Sequence, residues 1–215
     1  MKTEIRRAII TSATLSMFKI FMNRFKRSIR ELYLPERDPE YDENVYKCLN
    51  FNVNHYFYAD TCPWFNLEFF LNIESIAITL KSIQLSDEDL NMFLRSWQKG
   101  KTNRQVRQVV LLTSSARDVK EILKGCGGEL MDPRTTQLKF REVDGQEYKW
   151  IRGGIHIRRN DGRIAAILNN NRRYSTEDEN VSDVEIEKYL EARDIWNSEN
   201  SPDKWLESDF YIYVF

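Results

Sequence analysis

Six arginines lie close together between residues 152 and 173, and three of them, Arg158, Arg159 and Arg163, flank a predicted turn. The planar guanidinium group binds carboxylates, phosphates and aromatic faces, so these three residues are candidate partner-binding residues. We favour a second interpretation, in which the arginines form a solvated strand face that pairs with the acidic segment 177–187 of the same chain. Nucleic acid is not expected as a partner, because the basic patch is local and no aromatic stacking platform is evident beside it.

The other residue types that carry chemistry form no catalytic or metal-binding pattern. His55 and His156 lack partners at metal-ligand spacing, and we expect a structural or surface role for both. The three cysteines are too few and too scattered for a disulfide framework or a zinc site. No GxSxG elbow occurs, and the glycine-rich residues 124–129 lack the Gly-Lys-Ser/Thr ending of a phosphate-binding loop. The sequence therefore predicts no catalytic site, no metal and no cofactor.

The composition is that of a folded domain without a strong overall charge. The chain has 215 residues, of which 41% are hydrophobic and 13% aromatic, so it can bury a core without disulfides. The formal net charge is −1, so no global field attracts nucleic acid. No apolar stretch approaches the ~20 residues that span a bilayer. We expect a cytoplasmic or nuclear protein without a membrane partner.

The elements that must position these residues begin with the segment LSDEDLNMFLRSWQKG at residues 85–100. Ser86 is a natural N-cap, and the acidic residues 87–89 favour the positive end of a helix dipole. The apolar residues that follow recur at helical spacing, and Gly100 suits the left-handed position that ends a helix. The segment therefore predicts one complete helix.

A similar scheme returns 29 residues later, with Ser115 as the predicted cap. Each predicted helix follows a β-like run, at residues 75–80 and 105–112, so the stretch predicts strand–helix–strand–helix. Two architectures fit this pattern. One is a set of short leucine-rich-repeat-like units, and the other is a single βαβ unit in an α+β domain.

The segment IHIRRNDGRIAAIL at residues 155–168 predicts an antiparallel hairpin. Asp161–Gly162 fits a two-residue type I′ turn, which requires positive φ at both positions. That turn pairs Ile157 with Ala166 and Ile155 with Leu168, and places these residues on one buried face.

Four further elements complete the predicted fold. An amphipathic N-terminal helix is predicted over residues 12–33, with Phe18, Phe21 and Phe25 on its apolar face. The aromatic segment 46–59 predicts an edge or hairpin strand. Ser182 begins another helix through a capping box, and the apolar residues 210–215 predict a strand that is buried within a sheet.

These motifs together resemble the F-box-associated domain (type 2) of nematode F-box proteins. The resemblance lies in the helix 85–100, with Asn91, Phe93, Trp97 and Gly100, combined with the Arg158–Gly162 hairpin. It covers Trp64 to Leu168, about half of the chain. It implies a substrate-recognition subunit of a cullin–RING ubiquitin ligase, with a Skp-type adaptor, a cullin scaffold and a target protein as partners.

The resemblance also implies a division of the chain. Residues 1–34 are interpreted as an N-terminal helix and a remnant of an F-box, because the LPxxxL-like opening of a complete F-box is missing. In that remnant Phe18, Phe21 and Phe25 are candidate adaptor-binding residues. Residues 45–215 are interpreted as an F-box-associated-like domain.

The sequence as a whole predicts an α+β fold with short strand–helix units beside an antiparallel hairpin. The leading hypothesis is a non-enzymatic protein-interaction domain that recognises substrates for an SCF-type ligase. The alternative is an adaptor-independent binder of an acidic protein or nucleic acid through the arginine-rich hairpin.

Overall fold

A computed structural model of the protein describes residues 4–11, 15–35, 51–61, 65–143, 148–169, 175–198 and 202–215. The helices of these residues are α1 (Leu15–Arg24), α2 (Leu67–Leu71), α3 (Asp87–Gln98), α4 (Val119–Ile122) and α5 (Asp183–Asn197). The strands are β1 (Ile5–Ile9), β2 (Ile29–Leu34), β3 (Val53–Asp60), β4 (Ala77–Ile83), β5 (Gln108–Asp118), β6 (Glu129–Met131), β7 (Gln137–Arg141), β8 (Tyr148–Arg152), β9 (Gly154–Arg158), β10 (Ile164–Asn169) and β11 (Leu206–Val214).

Nine of the strands form one mixed sheet in the order β1-β2-β3-β4-β5-β11-β10-β9-β6. Strands β1 to β5 pair in parallel and in chain order. A parallel pair needs a crossover connection, and α1, α2 and α3 lie in three of these connections. From β5 onward every pairing is antiparallel. The sheet therefore has a parallel half and an antiparallel half that meet at β5 and β11.

The strands where the two halves meet are covered on both faces. On one face, buried residues of α2, α3 and α4 pack on apolar side chains that include Ile78, Val109 and Ile212. On the other face, Phe140 and Ile151 of the separate β7–β8 hairpin pack on Tyr213 and its neighbours. Burial on both faces explains why residues 210–215 carry apolar side chains without alternation, as predicted for an interior strand.

The predicted N-terminal helix over residues 12–33 is wrong. The chain forms β1 first, and the helix α1 ends at Arg24, after which residues 29–34 form β2. Ile29 and Leu32 fit a helical spacing by coincidence, whereas their burial comes from the parallel pairing of β2 with β1 and β3. Tertiary pairing has overridden the local periodicity. β1 and β2 thus belong to the same nine-stranded sheet as β3, β4 and β5.

The helix predicted at residues 85–100 is confirmed, since Ser86 caps α3 in a capping box and Gly100 follows it with a φ of +66°. The strand–helix pattern predicted 29 residues later does not form an equivalent helix. Ser115 lies inside β5, Asp118 is the N-cap, and α4 has only four residues. The strand–helix pairs belong to a single mixed sheet with unequal helices, so the structure confirms a mixed α and β fold without leucine-rich-repeat-like units.

The hairpin at residues 155–168 is confirmed, but its predicted register is wrong by one residue. Ala165 pairs with Ile157 and Ile167 pairs with Ile155. The Arg159 carbonyl accepts a hydrogen bond from the Gly162 N–H, and among the residues of the turn only Gly162 has a positive φ, of +92°. This is the geometry of a three-residue loop with a bulge at the glycine.

Two other predictions have clear outcomes. Ser182 and Glu185 form the predicted capping box at the start of α5. The strand predicted over residues 46–59 is β3, which lies inside the parallel half between β2 and β4 and is neither an edge nor a hairpin strand. Its predicted start at residues 46–50 lies outside the described residues.

Candidate partner-binding surfaces

The two motifs that carry the family resemblance meet in one place, where the C-terminal end of α3 contacts the β9–β10 turn. The Asn160 N–H donates a hydrogen bond of 2.9 Å to the Gln98 carbonyl. The Gln98 amide in turn donates to the carbonyls of Arg158 (3.0 Å) and Cys126 (2.8 Å). The first of these bonds satisfies a carbonyl that the end of α3 leaves unpaired. We call this contact the helix–hairpin joint, and it is primarily structural.

Arg159 points into the helix–hairpin joint and is not a surface residue, since only 6% of it is exposed. Its guanidinium carbon lies 5.8 Å from the centre of the Trp97 ring, and its Nη1 donates to the Arg104 carbonyl at 3.3 Å. Its Nε lies 3.3 Å from an Asp161 carboxylate oxygen, without the geometry of a hydrogen bond. Burial and the neighbouring Arg163 lower the pKa of Arg159. A positive charge at this place also suits the negative end of the α3 dipole.

The other two arginines that the sequence singled out lie at the rim of the joint. The Arg163 side chain donates to the Asp161 carboxylate at 3.0 Å and to the Arg104 carbonyl at 2.9 Å. Asp161 is partly desolvated, but hydrogen bonds from Arg163 outweigh this effect and lower its pKa. Arg158 is exposed, and the one described hydrogen bond of its side chain is a long contact of 3.4 Å to the Gly162 carbonyl. The structure thus brings the three arginines together around one turn, with Arg158 alone projecting into solvent.

Two of the three candidate phenylalanines, Phe21 in α1 and Phe25 directly after it, turn inward. Phe21 and Phe25 are partly buried and contact the Phe51 ring at centroid distances of 5.2 and 5.1 Å. Phe18 belongs to the same helix, but its side chain lies outside the described residues. Among the α1 side chains that the structure describes, the large apolar ones that are exposed are Met17 and Ile20, at 62% and 56%.

Three half-buried tyrosines of β2 and β3 lie on one face of the parallel half, on the side away from the helices. Tyr33 lies 5.3 Å from Tyr56 and 6.0 Å from Tyr58, and the Tyr56 hydroxyl donates to Thr79 at 3.0 Å. The Lys81 ammonium lies 5.3 Å from the Tyr58 ring, and a hydrogen bond with Tyr58 raises the pKa of Lys81. Tyrosine is enriched in protein–protein contacts because it combines apolar area with a polar tip. We call this surface the tyrosine face.

The β7–β8 hairpin carries a second aromatic surface that the sequence analysis missed. Its inward residues pack on the core, and every outward position is basic, aromatic or amide. These outward residues, which form the basic–aromatic face, are Gln137, Lys139, Arg141, Tyr148, Trp150 and Arg152. The alternation of QLKFR and YKWIR is the signal that predicts such a face, because side chains two apart share one side of a strand.

A cleft of about 480 Å³ lies between α5 and the antiparallel half of the sheet. No residue of α5 is fully buried, so the helix does not pack tightly on the strands below it. Ile155 and Ile167 contribute apolar side chains to the cleft, and Arg152, Lys188 and Glu191 contribute charges. The volume lies in the range of small-molecule pockets, but its charges do not converge on one chemical class of ligand.

The isolated reactive side chains fit structural roles. Burial raises the pKa of the Cys126 thiol to about 11, which keeps it protonated and a poor nucleophile. Burial lowers the pKa of His156, whose ring contacts the Gly153 carbonyl at 3.1 Å. Within the described ranges, no three His, Cys, Asp or Glu residues are grouped so as to hold a metal ion. None of the helices in that part of the chain is long and apolar enough to cross a membrane.

Comparison with known proteins gives one match. The family model described as F-box associated matches residues 44–111. No curated protein and no solved structure matches the chain. The matched range includes β3, β4 and α3, so it contains two of the tyrosines of the tyrosine face and the helical side of the helix–hairpin joint. Residues 44–111, less than half of the chain, are therefore similar to the F-box-associated family.

Proposed function

We propose that the chain is a protein-interaction domain that holds a target protein for an SCF-type (cullin–RING) ubiquitin ligase. The observation that carries the proposal is the similarity of residues 44–111 to the F-box-associated family. In this role the chain is not an enzyme, because ubiquitin transfer takes place on other subunits. It acts in the cytoplasm or the nucleus, through a Skp-type adaptor that joins it to a cullin scaffold.

The exposed side of α1 is the surface that we assign to the adaptor. Met17 and Ile20 would contact it directly, in place of Phe21 and Phe25, which pack against Phe51. Burial of two such side chains in a contact stabilises it by roughly 1.5–3 kcal/mol each. We assign the tyrosine face to the target, since it is aromatic and most of it lies within the matched range.

Co-purification of the full chain with a Skp-type adaptor tests the proposal. Removal of residues 1–33 is a poor test, because it deletes β1 and most of β2 from the sheet. The better perturbation is Met17→Asp combined with Ile20→Asp. The matched control is Met92→Asp combined with Val184→Asp, which changes two apolar residues elsewhere that are also about half exposed.

Retention of the adaptor by the unchanged chain and by the control, but not by the α1 variant, would support the proposal. An unchanged chain that does not retain the adaptor would contradict the ligase role. Equal retention by all three would contradict the assignment of the surface to α1. Thermal melting of each variant, followed by circular dichroism, verifies that the fold is intact.

A further inference from the structure

We propose that the cleft between α5 and the antiparallel half of the sheet, which we call the α5 cleft, binds a small uncharged molecule with an apolar body and a hydroxyl group. The residues that line it lie between residues 130 and 207, outside the range 44–111 that matches the F-box-associated family. This binding site therefore does not depend on the proposed ligase role.

Helix α5 is fixed to the fold at both ends, and the part between them spans the cleft. At its C-terminal end, the Lys120 ammonium donates to the carbonyls of Ile195 and Ser198 at 3.0 and 2.6 Å. In the segment before the helix, the Arg152 guanidinium donates to the Glu179 carbonyl at 2.6 Å. No residue of α5 is fully buried between these attachments. The space beneath the helix, about 480 Å³, is therefore set by the two attachments, and it suits a small molecule.

The charged side chains around the α5 cleft favour a ligand without a charge. Three are basic and three are acidic, namely Arg152, Lys188, Lys204, Glu185, Glu191 and Glu207. Arg152, Glu185 and Glu207 already form hydrogen bonds within the chain. The other three are exposed and lie in solvent at the rim. A charged ligand would therefore lose its hydration in the cleft without gaining a matched ion pair, whereas an uncharged ligand avoids this cost.

Apolar side chains provide the surface on which the body of such a ligand packs. Tyr189, Ala192 and Ile195 of α5 line the cleft and are only half-buried. Leu130 of β6 and Trp205 also line it, and both are partly buried residues that pack against the main core. A ligand that covers these side chains removes apolar area of both molecules from water. The hydrophobic effect therefore stabilises an apolar body in the cleft.

One polar side chain of the α5 cleft assigns the hydroxyl group to the ligand. Asn169 lines the cleft at the end of β10, and its Oδ1 atom is buried without a hydrogen-bond partner among the residues that the structure describes. A buried acceptor in this state destabilises the protein until a donor reaches it. A half turn of the amide exchanges its oxygen and nitrogen, so the side chain can offer either atom to a ligand. A hydroxyl group suits this amide because it both donates and accepts.

Fluorescence of N-phenyl-1-naphthylamine, an uncharged probe that brightens in apolar surroundings, tests the proposal with the full chain. The test variant is Ala192→Trp, which adds an indole ring to the helical wall of the α5 cleft. The matched control is Val184→Trp, which adds the same ring to the same helix at a residue that is 59% exposed and does not line the cleft. Asn169→Leu removes the unpaired amide at nearly constant volume. Thermal melting, followed by circular dichroism, verifies that each variant is folded.

NMR spectra of the isoleucine methyl groups of the unchanged chain locate the bound probe without any substitution. Ile155, Ile167 and Ile195 line the α5 cleft, whereas Ile29 and Ile78 belong to β2 and β4 in the parallel half of the sheet. We expect the probe to shift the signals of the first three and to leave those of the other two in place.

We expect the probe to bind the unchanged chain and the Val184→Trp control equally. Ala192→Trp should weaken the binding by about tenfold or more, because the indole ring occupies part of the cleft. In displacement of the probe, 1-octanol should bind about three- to tenfold more tightly than 1-chlorooctane, which lacks the hydroxyl group, as expected for one hydrogen bond. Asn169→Leu should remove this difference. Octanoate should bind more weakly than 1-octanol, because its charge is desolvated without a partner.

Three results would overturn the proposal. The first is a probe that does not bind, or that shifts only the isoleucines of the parallel half. The second is equal binding of the probe to Ala192→Trp and to the Val184→Trp control, which would place the probe elsewhere. The third is tighter binding of octanoate or octylamine than of 1-octanol, which would assign a charged ligand to the cleft. No adaptor is present in this assay, so its failure and the failure of adaptor co-purification are distinguishable.

Discussion

Replacement of Arg159 by Ala should destabilise the protein much more than replacement of its neighbour Arg158. Both belong to the same hairpin and carry the same charge, but Arg159 is 6% exposed, whereas Arg158 projects into solvent. The comparison separates the structural contribution of the helix–hairpin joint from the general effect of removing one positive charge.

The contacts of Arg159 set the size of the effect. Its buried aliphatic stem contributes roughly 0.8 kcal/mol for each methylene group. Its contact with Trp97 contributes about 0.5–1 kcal/mol, and its hydrogen bond to the Arg104 carbonyl, long at 3.3 Å, about 1 kcal/mol. The desolvation of the guanidinium group offsets part of this gain. We expect a net loss of about 2–3 kcal/mol for Arg159→Ala and of about 0.5 kcal/mol or less for Arg158→Ala.

Urea unfolding followed by circular dichroism measures both values, and the thermal midpoint of Arg159→Ala should fall by roughly 5–10 °C. Arg159→Met is a useful third variant because it keeps most of the apolar stem and removes the charge. It should recover about half of the loss if packing dominates. Equal losses in Arg158→Ala and Arg159→Ala would refute the structural role that we assign to the joint.

Three further variants test other parts of the fold. Gly154→Ala should lower the free energy of unfolding by about 3 kcal/mol or more, because the φ of Gly154 is +82° and a Cβ atom would lie 2.6 Å from Leu168. Gly127→Ala is the control, because Gly127 also has a positive φ but has open space around it, and it should lower the free energy by only about 1–2 kcal/mol. Urea unfolding measures both values. The Asn91 side-chain amide donates hydrogen bonds to the carbonyls of Ile122 (2.8 Å) and Lys124 (2.9 Å). Asn91→Ala should therefore lower the free energy of unfolding by about 1–2 kcal/mol and speed hydrogen exchange of the amides around α4. Unchanged exchange rates would contradict this role of Asn91. Burial lowers the pKa of His156, so the unfolded chain takes up the proton first and stability falls as the pH decreases below about 6.5. The difference in unfolding free energy between His156→Gln and the unchanged chain should therefore vary with pH in this window, and a constant difference would contradict the burial argument.

Local signals predicted those elements whose boundaries are set by a few adjacent residues. The capping boxes at Ser86 and Ser182 and the left-handed Gly100 gave α3 and the start of α5 correctly. The hairpin was also predictable, but its register was not. In the three-residue loop the Asn160 N–H donates to the Gln98 carbonyl, a contact with a residue far away in the chain that the hairpin sequence does not indicate.

Elements that depend on sheet pairing were the ones that the sequence could not reveal. Residues 29–34 continue a helical periodicity, yet they form β2 because strands on both sides supply its hydrogen bonds. The sites show the same division. An arginine cluster is visible in the sequence, but only the fold shows that Arg159 faces inward and that Lys139 and Tyr148 share one outward surface. The arginines that stand out in the sequence therefore mostly stabilise the helix–hairpin joint.

The position of β11 constrains the order in which the protein assembles. β11 is the last described strand along the chain, and it lies between β5 and β10. Until it is inserted, both halves of the sheet end in an open edge, and its pairing of Tyr213 with Gln108 is strongly non-local and therefore slow to form. A molecule in which β11 has not yet paired thus exposes the edges of β5 and β10, both of which can pair with β11. The β11 of a second copy can fill them, so strand exchange and aggregation are the characteristic hazards of this architecture during folding.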